Sequence, residues 1–132
     1  MRPYLRFRWR NLMTSKATML PPEFADLERF AADWIYLTET ERNAFRVKQS
    51  IEDLDDYYQT VFPRMDALCE YIDQFSLDAM PAPAARLLRL GQMLMEVVPA
   101  VEVYRQPDVP NSLVYERFHI ISPDDPVKVL EN

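Results

Sequence analysis

A single glycine, Gly91, stands against eleven prolines in this chain of 132 residues. The scarcity extends to one histidine, His119, and one cysteine, Cys69. It bounds both what the chain builds and what it catalyses. A loop that cradles phosphate needs several glycines, because only glycine lets the backbone approach an anion closely. A nucleophile elbow needs glycines on both sides of its serine. Zinc and ferritin-like iron sites need clustered His or Cys. None of these can be assembled within one copy of this chain. His119 reads as a strand or surface residue and Cys69 as a small buried hydrophobe.

Prolines instead punctuate a helical pattern. Pro21-Pro22 ends an N-terminal stretch and suits the first turn of a helix, where a missing N–H costs nothing. Phe24, Leu27, Phe30/Ala31 and Trp34 then recur at three- and four-residue steps, predicting an amphipathic helix over about 23–37. Thr38-Glu39-Thr40-Glu41 has the form of a capping box, so another helix starts near 39; Ser50 and Asp53 repeat the spacing and allow a break near 50. Its apolar face runs Phe45/Val47, Ile51, Leu54, Tyr58, Val61/Phe62. The phase continues past Pro63 as Met65, Leu68/Cys69, Ile72 and Phe75, which predicts one long helix, about 51–75, kinked at the proline. A last helix, about 82–105, kinks near Pro99. Gly91 inside it costs about 1 kcal/mol against alanine, so it predicts close approach of another helix.

Charge divides the chain unevenly. Residues 1–22 carry Arg2, Arg6, Arg8, Arg10 and Lys16 and no acid, while the remainder carries ten bases and twenty-one acids, for a net charge of −6. In the arm, Leu5, Phe7 and Trp9 alternate with Arg6, Arg8 and Arg10, the period of an extended strand. Leu113 to Ile121 is rich in β-branched and aromatic residues and reads as a single strand in need of a partner, for which the arm is the candidate. The arm reads as packing on its own acidic body or on a neighbouring subunit, or else as sequence upstream of a start at Met13 or Met19, or as a targeting or polyanion-binding segment. The tail after Ser122 reads as irregular. An acidic body repels nucleic-acid backbones, so no nucleic acid is expected as a partner. No apolar run reaches the ~18–20 residues of a membrane span, so no membrane is expected. A lone cysteine fits a reducing compartment, here the cytoplasm.

Two constellations carry candidate chemistry. Glu52/Asp56 are spaced i,i+4, and Asp66, Glu70 and Asp73 i,i+4,i+7; each set shares one helix face. If the two faces turned toward each other they would supply oxygen ligands for Mg²⁺ or Mn²⁺. Glu70/Asp73 has the Glu-x-x-Asp form and so resembles the all-α nucleotide pyrophosphohydrolases of the MazG type, which carry Glu-x-x-Glu and Glu-x-x-Asp pairs on adjacent helices. Glu52/Asp56 departs from that spacing. The resemblance implies a Mg- or Mn-dependent nucleotide pyrophosphohydrolase. The second constellation is aromatic. Tyr57 and Tyr58 point about 100° apart on a helix, so one borders a pocket or an interface. An apolar ligand between helices would have Trp34, Tyr58 and Leu94 as walls.

The expected architecture is all-α: a small bundle on a long, kinked, antiparallel helix hairpin, with the helices of 23–49 packed across it. Residues 1–22 form an extended basic arm, 23–105 the bundle, and 106–132 an extended C-terminal segment and tail. The leading functional expectation is a non-catalytic protein without a cofactor. It acts by self-association, as a homodimer, or as a partner-binding accessory subunit, with Leu5, Phe7, Trp9 and Phe118 at the interface.

Overall fold

The computed structural model describes residues 18–111, 117, 121 and 125–130. Leu5, Phe7, Trp9 and Phe118, and with them the expected pairing of the arm with the 113–121 stretch, lie outside the described residues. Among the described residues the fold is all-α, with one isolated parallel β-bridge.

The first element differs from the amphipathic α-helix expected over 23–37. It is a 3-10 helix, Pro22–Phe30, with a break in its dihedrals at Phe24. The buried residues explain the type: Phe24, Leu27 and Phe30 recur every three residues, the period at which 3-10 side chains eclipse. The chain then bends, and Trp34 stacks on Tyr57 with ring centroids 4.3 Å apart and planes 8° from parallel. The helix is anchored from upstream, where the Glu28 carboxylate accepts the backbone N–H groups of Met19 and Leu20.

Helix α1 is Glu39–Val47, and its capping box is formed: Thr38 Oγ1 accepts the Glu41 N–H at 3.1 Å and the Glu41 carboxylate accepts the Thr38 N–H at 3.2 Å. Helix α2 is Ile51–Val61, capped by Ser50 Oγ on the Asp53 N–H at 3.1 Å. The interruption between them resets the helical phase. The core face of α2 is therefore Leu54, Tyr57 and Val61, while Tyr58 is half-buried and Phe62 is 47% exposed. The face expected to run through Tyr58 and Phe62 assumed continuity from Phe45.

At Pro63 the helical run narrows to a 3-10 turn, Phe62–Arg64, before α3, Met65–Ile72. Proline donates no hydrogen bond to the preceding turn, so the ladder is interrupted there. Leu68 takes the core position on α3; its neighbour Cys69 is exposed, correcting the expectation of a buried thiol. Helix α4, Ala82–Pro99, starts behind Pro81 and supplies Leu87, Leu90, Met93, Leu94 and Val97 to the interior. Each such fully buried side chain contributes about 1.5–3 kcal/mol. Beyond Pro99 the helix widens into a π-helical segment, Ala100–Tyr104, and stops at Arg105, which adopts left-handed dihedrals with φ 56°.

Contacts along α2 and α3 run in reverse order along α4. The Tyr58 hydroxyl meets Glu102, Leu68 lies against Gly91, and Tyr71 and Ile72 meet the cluster of Met80, Ala84 and Ala85. That order is antiparallel packing. A Cβ on Gly91 would sit 3.3 Å from Leu68 Cδ2, so the glycine admits the close approach its position implies.

Two buried arginines hold the chain beyond α4. Arg46 of α1 donates Nε to the Pro107 carbonyl at 2.9 Å and Nη1 to Glu96 at 3.0 Å. Arg89 of α4 donates to Gln92 at 3.0 Å and pairs with Asp125. The last described residues, 125–130, are irregular as expected except at one isolated bridge. Met80 and Val129 form the bridge, with the Met80 N–H on the Lys128 carbonyl at 3.0 Å and the Leu130 N–H on the Met80 carbonyl at 2.9 Å.

Candidate functional site

The end of the 3-10 helix, the bend after it and the facing sides of α1 and α2 enclose an open cleft of about 440 Å³. Its wall is aromatic. Trp34 meets Phe45 edge-on at 4.8 Å, and Tyr36 lies tilted against Phe45 at 5.0 Å. The capping box starts α1 so that Phe45 reaches this wall, and Ser50 starts α2 so that Asp53 and Asp56 border the opposite rim.

The rim is acidic. Arg29 forks onto Asp56, Nη1 to Oδ2 at 2.8 Å and Nη2 to Oδ1 at 3.1 Å, while its guanidinium carbon lies 4.1 Å from the centre of the Phe30 ring. Hydrogen bonding from Arg29, against the opposing effect of burial, holds the Asp56 carboxyl below its ordinary range. Asp33 and Asp53 are exposed, and among the described residues no hydrogen bond or ion pair reaches their carboxylates. Burial, with the charges of Asp33 and Glu41 nearby, pushes the Tyr36 hydroxyl up, so it stays protonated at neutral pH. Carboxylates set beside ring faces attract a cation, through charge and through the ring quadrupole together.

A second cleft of about 480 Å³ lies between the 3-10 helix and α3. Here Arg64 lies over the Phe24 ring at 4.7 Å, pairs with Asp26 at 3.0 Å and donates to the Glu23 carbonyl at 2.8 Å. A resident cation already covers that ring.

The carboxylates singled out in the sequence are not brought together. Glu52, Asp66, Glu70 and Asp73 are exposed, and Asp56 is paired with Arg29. Among the described residues no three of His, Cys, Asp and Glu are grouped so as to hold a metal. The reason is topological: α2 and α3 follow one another along a single run, so their acidic faces succeed rather than oppose each other. Trp34, Tyr58 and Leu94 likewise do not share a pocket. Trp34 borders the cleft, Tyr58 stacks on Phe62 at 5.0 Å with its hydroxyl on Glu102, and Leu94 is fully buried in the core. Sequence periodicity did not single out Asp33, Asp53, Tyr36 and Phe45 as a site. The available signal was the alternation of acid and aromatic residues across Asp33-Trp34-Ile35-Tyr36, followed by the cap at Thr38.

No helix among the described residues is long and apolar enough to cross a membrane. Compared with known proteins, the chain matches no family model, no curated protein and no solved structure.

Proposed function

We propose that this protein is non-catalytic and works by self-association, with service as an accessory subunit to another protein as the wider form of the same role. The observation that carries the reading is a set of large apolar side chains left in water after α2 and along the α4 run: Phe62 is 47% exposed, Met95 55% and Val103 71%. The antiparallel order that pairs Tyr58 with Glu102 and Leu68 with Gly91 places Phe62 level with the stretch from Met95 to Val98. Single exposed apolar residues are ordinary on a monomer, but several side chains of this size left in water favour an association surface.

The test is mass in solution over a range of concentrations, by light scattering or sedimentation. The parent chain is expected to dimerise, and Phe62→Glu/Val103→Glu to be monomeric with unchanged helix content. A parent chain that stays monomeric at every concentration, or a double variant that dimerises as tightly as the parent, would overturn self-association.

A further inference from the structure

The acid–aromatic cleft is chemically matched to a segment of this same chain. We propose that the cleft walled by Trp34, Tyr36 and Phe45 and rimmed by Asp33 and Asp53 receives the arginine side chains of residues 1–17 of its own chain.

Charge complementarity is the first ground. Residues 1–17 carry Arg2, Arg6, Arg8, Arg10 and Lys16 with no acid, and the cleft rim carries two carboxylates that have no partner among the described residues. The second ground is a working example inside the cleft itself. Arg29 lies on the Phe30 ring and forks onto Asp56, so ring face plus carboxylate already holds one guanidinium there. The Trp34 ring is buried against Tyr57, but half-buried Tyr36 borders the same cleft as Asp33 and Asp53, and among the described residues no cation lies over its ring. The second cleft, where Arg64 covers Phe24, shows what a filled version looks like.

The third ground is where the arm attaches. Met19 and Leu20 are held on the Glu28 carboxylate, and the Met19 carbonyl accepts Arg86 at 3.0 Å. The chain therefore departs upstream beside Glu28 and Arg86. Seventeen extended residues reach about 56 Å, against a radius of gyration of about 14 Å for a domain of this length. Tethering at that point makes docking an intramolecular event at high effective concentration. Alternation of Arg6, Arg8 and Arg10 with Leu5, Phe7 and Trp9 puts the arginines on one side of an extended segment, toward the acids, and leaves the apolar set on the other.

The experiment uses the full chain with Tyr4→p-benzoylphenylalanine, a position that shares the arginines' side of the alternation. Irradiation followed by peptide mapping is expected to join position 4 to residues between 29 and 53 of the same chain. In Asp33→Asn/Asp53→Asn, both exposed positions, the yield of that link should fall about fivefold, the scale of a partly exposed ion pair. A second variant, Arg6→Glu/Arg8→Glu/Arg10→Glu, leaves residues 18–132 unaltered and should lose the link to the same extent or more. Links that map elsewhere on the body, that join two chains, or that persist undiminished in both variants would overturn the proposal. None of these outcomes depends on Phe62 or Val103, so the fate of the cleft and the fate of the association seam are read separately.

Discussion

The two ends of the bundle are closed by different means. At one end rings close it: Tyr57 is fully buried under Trp34, meets Phe30 edge-on at 4.8 Å, and donates its hydroxyl to the Leu90 carbonyl at 2.8 Å. At the other end the side chains are small. Ala84 and Ala85 pack with Met80, Val127 lies against them, and the closure is made by backbone hydrogen bonds, with the same C-terminal segment tied farther along α4 by the Arg89–Asp125 pair. The aromatic end joins residues 23 to 33 positions apart: Phe30 and Trp34 to Tyr57, and Tyr57 to Leu90. The other end joins Leu77 and Met80 to residues about fifty positions later. The first should be the stronger and the second the more easily opened.

The largest expected effect tests the aromatic end. Tyr57→Ala removes a ring packed among other aromatic rings and should destabilise the fold by about 3–5 kcal/mol in denaturant melts. Tyr57→Phe keeps the stack and loses only the hydroxyl bond, at about 1 kcal/mol. If Tyr57→Ala cost less than its phenylalanine counterpart, the rings would not be what closes this end. Burial pushes the Tyr57 hydroxyl well above its ordinary range, so it remains a donor throughout the neutral and mildly alkaline range.

That contrast also explains what could be read from the chain. Caps at Thr38 and Ser50, the α4 start behind proline and the close approach at Gly91 are local features, and each was legible from a few adjacent residues. Phe24, Leu27 and Phe30 have a strict three-residue step that fits 3-10 geometry, yet over so short a span it also fits an α-helical stripe. Tyr57 rather than Tyr58 faces the core because the break at Lys48–Ser50 shifts the phase, and phase cannot be carried across a break from one side alone. Met80–Val129, Arg89–Asp125 and the cleft are made by residues distant in sequence, and no periodicity announces them.

The next effect tests the other end. Asp125→Ala leaves Arg89, 3% exposed, with a buried charge and one carboxylate fewer, which should cost about 2–3 kcal/mol. The same pair sets an acid limb. Burial alone would raise the Asp125 carboxyl, but hydrogen bonds from the Val127 N–H and Arg89, with the charges of Arg89 and Arg42, outweigh it and hold it below its ordinary value. A depressed carboxyl stabilises the fold above its unfolded value, near pH ~4, and that contribution is lost as pH falls through the folded one. Asp125→Asn should therefore flatten the stability profile on the acid side of pH ~4 and leave the neutral plateau's slope unchanged. A profile identical to that of the parent would show that the pair does not hold this end.

A smaller effect isolates the backbone part of the same closure. The Lys128 N–H donates to the Leu77 carbonyl at 2.6 Å. Lys128→Pro deletes that donor and should cost about 1–2 kcal/mol, whereas Lys128→Ala, which keeps it, should stay within about 0.5 kcal/mol of the parent. Amide hydrogen exchange should show Met80 and Leu130 losing protection together in the proline variant while Tyr57 and Leu90 keep theirs. If all four amides lost protection together, the two ends would be one cooperative unit and the contrast between them would fail.

The smallest effect lies on the seam between the two ends. Gly91→Ala gains about 1 kcal/mol of helix propensity in mid-helix. Against that, the new methyl would meet Leu68 Cδ2 at 3.3 Å and approach Leu68 Cδ1 at 3.7 Å. The atoms it meets are the far end of a side chain, which can yield by a few tenths of an ångström, but Leu68 is 2% exposed and its surroundings are packed. The two terms nearly cancel, so the single variant should melt within about 0.5 kcal/mol of the parent. Leu68→Ala alone should cost about 2–4 kcal/mol through the cavity it opens. In the double variant the crowding is gone, the propensity gain is kept and the new methyl fills part of the cavity. Adding Gly91→Ala to Leu68→Ala should therefore restore about 1 kcal/mol, a coupling visible in a double-mutant cycle. Absence of that coupling would mean that α3 and α4 are not held at this distance by the Leu68–Gly91 contact, and that the two closed ends alone set the spacing between them.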